Sequence, residues 1–80
     1  MRMSANPDEY VVIGAQSLGR SIREFRRRRH ISQQTLAEQV GVHRSYLSEM
    51  ESGATTEALD RIIRTLSALD LEIVIRERLR

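Results

Sequence analysis

The sequence predicts a mainly α fold, in which a bundle of four to five helices is followed by a C-terminal β-strand that pairs across a homodimer. Apolar residues recur at helical spacing in four segments between residues 15 and 69, as in helices that share one core. From residue 71 the spacing changes to partial alternation of β-branched residues, which indicates a strand. A chain of 80 residues without cysteine has one small core and no disulfide, so oligomerisation is its expected support.

The N-terminal segment, residues 1–14, is predicted to be an arm with a possible short strand. Residues 1–9 are polar and show no periodicity. The β-prone run Tyr10–Ile13 stops at Gly14, so it forms either a strand or an apolar cover over the core. The first helix then begins near Ala15, and its apolar stripe consists of Leu18, Ile22 and Phe25.

Two short helices are predicted next. Ser32 is a suitable N-cap for a helix over Gln33–Val40, whose inward residues we expect to be Leu36, Ala37 and Val40. Gly41 ends this helix because glycine adopts left-handed backbone without steric cost. A further helix follows over Arg44–Glu51, with Leu47 and Met50 facing inward.

These two helices are expected to cross at a sharp turn. Ala37 has to be small because the following helix passes close over it, and the angle between the helices is filled by Leu36, Val42 and Leu47. The face that remains exposed near the third helix is polar and comprises His43, Arg44, Ser45, Ser48 and Glu49. The third helix therefore presents a polar recognition surface on an apolar base.

The fourth helix is predicted to begin after an N-cap at Thr55 or Thr56 and to extend to about residue 69. Its apolar positions are Leu59, Ile62, Ile63, Leu66 and Leu69. The strand that follows has no strong partner in the chain, although the run Tyr10–Ile13 is a candidate. Because an unpaired strand leaves backbone groups open, we expect antiparallel pairing with a second copy through Leu71, Ile73, Val74 and Ile75. Residues 70–80 are thus assigned to dimerisation.

The distribution of charge indicates a polyanionic partner. The net charge is only +2, but all 13 basic residues are arginine, a usage that a GC-rich genome also explains. Six arginines fall within residues 20–29, whereas eight of the eleven acidic residues are spread from Glu38 to Glu77. Such a patch is typical of nucleic-acid binding, with a solvated helix end as the alternative.

Several functional classes are not expected. His30 and His43 lie 13 residues apart with no further ligand pattern, which argues against zinc or another metal site. Ser45 or Ser48 beside His43 would lie on an exposed helix without a pocket, so we predict neither catalysis nor a cofactor. The chain has no apolar run of membrane-spanning length and no signal-peptide pattern, which predicts no membrane association and a cytoplasmic location.

A set of residues at fixed spacing resembles the Xre/Cro-type helix-turn-helix family, which includes the lambda-type phage repressors. The matching positions are Leu18, Ile22, Arg26, Ile31-Ser32-Gln33, Leu36-Ala37, Val40-Gly41-Val42, Leu47-Ser48, Glu51 and Gly53. The resemblance implies a lambda-repressor-like bundle with residues 15–69 as the DNA-binding domain. The sequence departs from the family after Gly53, where Ala54-Thr55-Thr56 replaces a common proline.

The resemblance also implies roles for individual residues. Gln33 is expected to donate to a DNA phosphate, and the third helix to lie in the major groove with His43, Arg44, Ser45 and Ser48 at base or phosphate positions. Arg44 is the candidate for a bidentate contact with guanine. Glu49 either accepts from cytosine or pairs with an arginine. Arg26 and Glu51 fall where the family has a structural salt bridge.

One subgroup of this family resembles the sequence at both ends of the chain as well as in the helical core. The N-terminal Tyr-Val-Val run and the closing Leu-Asp-Leu-Glu-Ile-Val-Ile-Arg segment resemble HipB-type antitoxins. That resemblance implies a dimer whose C-terminal strands pair, a HipA-like kinase toxin as partner, and repression of the shared operon. The alternative is a stand-alone or phage-type dimeric repressor that binds its operator without a toxin partner.

Overall fold

The computed structural model describes residues 8–78, and over this range the predicted mainly α fold is confirmed. The elements in chain order are β1 (Glu9–Val12), α1 (Ala15–Arg28), α2 (Gln33–Val40), α3 (Arg44–Glu51), α4 (Glu57–Ala68) and β2 (Ile73–Arg76). Residues 1–7 of the predicted arm lie outside the described residues, and Glu9 already belongs to β1. No helix of the described part is long and apolar enough to cross a bilayer.

The helices α2, α3 and α4 each begin at a residue whose side chain accepts from a free backbone N–H group of the first turn. Ser32 accepts from the Thr35 N–H at 3.0 Å, and Thr56 accepts from the Leu59 N–H at 3.2 Å. At the start of α1 the buried Ser17 hydroxyl accepts from the backbone N–H of Ile13 at 2.9 Å. The caps at Ser32 and Thr56 explain why α2 and α4 begin where the sequence predicts.

The two strands form an antiparallel pair within the chain. The register places Glu9 opposite Arg76 and Val12 opposite Ile73. The premise that the tail strand has no strong partner in the chain is therefore wrong, because the run from Tyr10 onward supplies one. The sheet of the described chain has two strands, so the outer edge of β2 is still open to a further strand. Pairing of that edge with a second copy stays a prediction.

The start of β2 also differs from expectation. Asp70 has a positive φ of 60°, and the Leu71 N–H donates to the Leu66 carbonyl at 2.9 Å. Both features belong to the turn that ends α4, so the strand begins two residues after Leu71, at Ile73. Leu71 is 55% exposed in this turn.

The buried core is small and lies between β1, α1, α2 and α3. Its apolar members are Val11, Val12, Ala37 and Leu47. Val40 was predicted to face inward but is 58% exposed, and the apolar positions Ile62 and Leu69 are 56% and 64% exposed. Helical spacing identifies an apolar face, but only a neighbouring element buries it, and none of the α4 residues is buried in the described chain.

Gly19 lets α1 and α3 approach closely. A Cβ placed on Gly19 would lie 2.3 Å from the Met50 carbonyl oxygen and 2.8 Å from that of Glu51. Both atoms are backbone, so no side-chain rotation relieves the clash. The absence of a side chain at Gly19 therefore sets the distance at which the C-terminal end of α3 rests on α1.

Candidate nucleic-acid interface

A tight turn between α2 and α3 sets the orientation of the candidate interface. Gly41 has φ 83°, and the N–H groups of Gly41 and Val42 both donate to the Ala37 carbonyl, at 2.9 and 3.0 Å. Ala37 and Leu47 are 1% and 2% exposed where the two helices pack together. The polar face of α3 consequently points away from the core.

The predicted contact residues on that face are arranged along one side of α3. His43, Arg44, Ser45 and Glu49 are exposed, and Ser48 is half-buried. Tyr46 is also 50% exposed on α3, one helical turn before Glu49. Tyr46 was not among the contact residues predicted from the sequence. The signal that could have identified it is its position outside the stripe formed by Leu47 and Glu51, the two buried residues of α3.

His43 caps α3, the helix that presents the polar face and is called the recognition helix below. Its Nδ1 accepts from the Ser45 N–H at 3.2 Å and lies 2.8 Å from the Ser45 hydroxyl. An acceptor Nδ1 requires the tautomer with its proton on Nε2, which is then available as a donor. Two predicted DNA-contact residues thus also stabilise the start of α3.

A chain of hydrogen bonds joins the recognition helix to the core. Arg44 donates from Nη1 to Oε1 of Gln33 at 3.2 Å, and Gln33 Nε2 donates to Oε1 of Glu51 at 3.1 Å. Arg26 then donates to Glu51 from Nε at 2.6 Å and from Nη2 at 3.0 Å. Gln33 was expected to donate to a DNA phosphate, and the structure shows that its amide also joins Arg44 to Glu51.

The Arg26–Glu51 pair is shielded from solvent, with side-chain exposures of 10% and 3%. Arg26 also donates to the Ile31 carbonyl at 2.9 Å, which ties the loop before α2 to α1. Burial raises the pKa of Glu51, but hydrogen bonds from Arg26 and Gln33 and the charges of Arg26 and Arg23 outweigh it, so the pKa lies below its ordinary value. Glu51 is therefore an ionised structural group at neutral pH.

The arginine cluster on α1 divides into two groups. In the first group Arg26 is turned inward to Glu51. Arg28 also has partners, because its Cζ lies 4.9 Å from the Phe25 ring centroid and its Nε lies 3.4 Å from Glu24 Oε1. The exposed arginines without a described ion pair are Arg20, Arg23, Arg27 and Arg29. Their charges are available to a polyanion, and Arg23 is the one close enough to Glu51 to lower its pKa.

The loop after α3 closes without a proline. Gly53 has φ 98°, and the Ala54 N–H donates to the Glu49 carbonyl at 2.9 Å. Ser52 donates its hydroxyl to the same carbonyl at 2.9 Å. The Glu49 carbonyl thereby accepts two hydrogen bonds, and the chain reaches Thr56 in position to cap α4.

Comparison with known proteins agrees with this geometry. A family model described as helix-turn-helix matches residues 22–74, which extend from α1 into β2 and make up more than half of the chain. No curated protein and no solved structure matches the chain.

Proposed function

Because the chain belongs to the Xre/Cro-like helix-turn-helix family of DNA-binding transcription regulators, we propose that it represses transcription as a homodimer bound to a two-fold-symmetric operator. The observation that carries this proposal is the exposed polar face of α3, held on the core through Arg44, Gln33 and Glu51. A helix mounted in this way fits the major groove and presents side chains at fixed positions.

We assign the base-reading role to Arg44 and supporting roles to its neighbours. An arginine fork matches the O6 and N7 acceptors of guanine. Ser45, Ser48 and Glu49 lie along the same side of α3, and Tyr46 is the additional exposed candidate. Glu49 suits a cytosine amino group better than a phosphate, because a carboxylate repels the DNA backbone.

Gln33 and His43 are proposed to contact phosphates. The Gln33 side-chain nitrogen carries two N–H groups and uses one for Glu51, which leaves the other as a donor. His43 keeps Nε2 free while its Nδ1 caps α3. Phosphate contacts of this kind fix the position of the recognition helix without reading sequence.

The proposed dimer contact is the outer edge of β2. Val74 is 42% exposed on this strand, and Leu71 and Leu69 are exposed just before it. Pairing of two β2 edges around a two-fold axis extends the two-stranded sheet to four strands and covers apolar surface at the same time. The two α3 helices then have to be about 34–36 Å apart to enter successive major grooves.

We further propose that the protein is the antitoxin of a HipBA-like operon. Support comes from the helical core framed by β1 and β2, the arrangement that resembles HipB-type antitoxins. In this scheme a HipA-like kinase toxin binds the dimer, and the complex represses its own promoter. A stand-alone repressor has the same DNA-binding surface but no stable kinase partner.

The test is purification of the tagged protein from its native host, with identification of the retained DNA and protein. Promoter DNA together with a kinase encoded next to it supports the antitoxin assignment. Promoter DNA alone contradicts that assignment and leaves a dimeric repressor. An Arg44→Ala variant is the matched control, because it is expected to lose the DNA and to retain a protein partner.

A further inference from the structure

A groove of about 620 Å³ lies between α1, α2 and the end of β2, apart from the residues assigned to DNA. Its floor is apolar and comprises Ile22, Phe25, Leu36 and Ile75. Two of these residues come from α1, one from α2 and one from β2, so three elements of the fold build it. A groove of this volume accommodates several apolar side chains of a bound segment.

The groove is separated from the recognition helix. Among the described residues no member of α3 lines it, and neither does Gln33. Arg26 borders the groove, but its guanidinium is turned to Glu51 and to the Ile31 carbonyl. A molecule in the groove therefore leaves the polar face of α3 open to DNA.

The rim of the groove is positively charged. Arg29 and Arg78 are exposed there, and neither makes an ion pair within residues 8–78. Arg76 lies 3.6 Å from Glu9, and Glu77 is the acidic residue on the rim. An occupant that fills the floor thus meets unpaired guanidinium groups, which favour carboxylates over ammonium groups.

We propose that this groove binds an amphipathic, acidic helix of a partner protein. Apolar side chains one helical turn apart fill the floor, and Asp or Glu residues beside them pair with Arg29 and Arg78. A protein segment fits better than a small molecule because the groove is open to solvent along its rim, whereas small ligands are usually mostly enclosed. This inference goes beyond DNA recognition and does not depend on it.

The test uses the full chain, isotopically labelled, and two stapled helical peptides that differ only in charge. Both carry leucines at i, i+3 and i+7, with glutamates beside them in one peptide and lysines in the other. We expect the glutamate peptide to shift the NMR signals of Ile22, Leu36 and Ile75 and to bind about tenfold tighter than the lysine peptide, because two ion pairs replace two repulsions.

A charge reversal makes the test independent of the peptide design. In the double variant Arg29→Glu with Arg78→Glu we expect the lysine peptide to bind tighter than the glutamate peptide. The matched control reverses two exposed arginines outside the groove, Arg20→Glu with Arg64→Glu, and is expected to keep the preference for glutamate.

Three results would overturn the proposal. One is equal affinity for both peptides, and another is a shift confined to α3 signals. The third is a change of the groove signals with protein concentration in the absence of peptide, which would assign the groove to a second copy of the chain. Circular dichroism of each variant checks that the helical fold is retained.

Discussion

Arg44 Nη1 donates to Gln33 Oε1 at 3.2 Å, so the first residue of α2 holds the first residue of α3. The same glutamine donates to the buried Glu51 at 3.1 Å. An arginine held at one point keeps fewer rotamers and loses less conformational entropy when it contacts a base. The orientation of the proposed base contact thus depends on a residue outside the recognition helix.

The first prediction concerns Arg44 itself. Arg44→Ala is expected to weaken operator binding by about 1–3 kcal/mol and to relax base preference at one position, because a bidentate guanine contact is lost. Selection from a randomised DNA pool measures both effects. Arg61→Ala is the control, since Arg61 is exposed on α4 and pairs there with Glu57. An equal loss on all sequences would show that Arg44 contacts only phosphate.

The second prediction concerns the coupling between Gln33 and Arg44. Gln33→Ala is expected to weaken binding with little change in consensus, because its own contact is with phosphate. Since it also releases Arg44, the double variant should lose less than the sum of the single losses. We expect a coupling energy of about 0.5–1.5 kcal/mol for one hydrogen bond in a double-mutant cycle. A shifted consensus in Gln33→Ala would contradict the phosphate assignment, and additive losses would contradict the coupling.

The third prediction is pH dependence from Glu51. Its pKa is lowered in the folded chain, so its ionised form stabilises the fold above its ordinary pKa of 4.5. This contribution is lost as the pH falls from 4.5 through the lower folded pKa. Urea denaturation between pH 7 and pH 3 is therefore expected to show a falling free energy of unfolding.

The variant Glu51→Gln isolates this group. It leaves the guanidinium of Arg26 without its anion, which is expected to lower the free energy of unfolding by about 3 kcal/mol. This is the lower end of the range for a buried pair, because the Arg26 side chain is still 10% exposed. The acid-side slope of its unfolding free energy should be shallower than that of the unmodified chain. Glu57→Gln is the control at an exposed pair and should leave the slope unchanged. An unchanged slope in Glu51→Gln would contradict the assignment of the pH dependence to Glu51.

The elements that were predicted closely are those set by local chemistry. The bounds of α2 follow from Ser32 as N-cap and from Gly41 with its left-handed backbone, both visible in consecutive residues. The pairing of β1 with β2 was considered only as an alternative, because a strand as short as Glu9–Val12 gives a weak signal in the sequence. The partners Val12 and Ile73 are also far apart in sequence.

In the candidate site, too, features set by local spacing were predicted, whereas contacts between distant residues were not. Helical spacing identified the outward face of α3, because that face depends only on the positions of buried residues such as Leu47. The bond between Gln33 and Glu51 joins residues 18 positions apart and requires the crossing of two helices. Likewise, the exposure of Ile62 depends on what packs against α4, which periodicity does not contain.

The fourth prediction tests the close approach of α1 and α3. Gly19→Ala is expected to destabilise the fold by about 1–3 kcal/mol, because the new Cβ meets the backbone carbonyls of Met50 and Glu51. Gly14→Ala is the matched control, since a Cβ there has nothing within 4 Å and Gly14 is in extended backbone. Thermal denaturation measures the difference. Equal stability of the two variants would show that α3 can move away from α1 at little cost.

The last prediction tests dimerisation through β2. Deletion of residues 71–80 is expected to abolish the dimer and to weaken operator binding steeply, because two half-sites act together only when they are linked. That deletion also removes the partner of β1, so Val74→Arg is the sharper variant. It keeps the intrachain strand pair and places two positive charges near each other across the proposed two-fold axis. Sedimentation equilibrium should show a monomer for Val74→Arg and a dimer for Gln39→Arg, an exposed substitution on α2. A dimeric Val74→Arg would contradict dimerisation through β2.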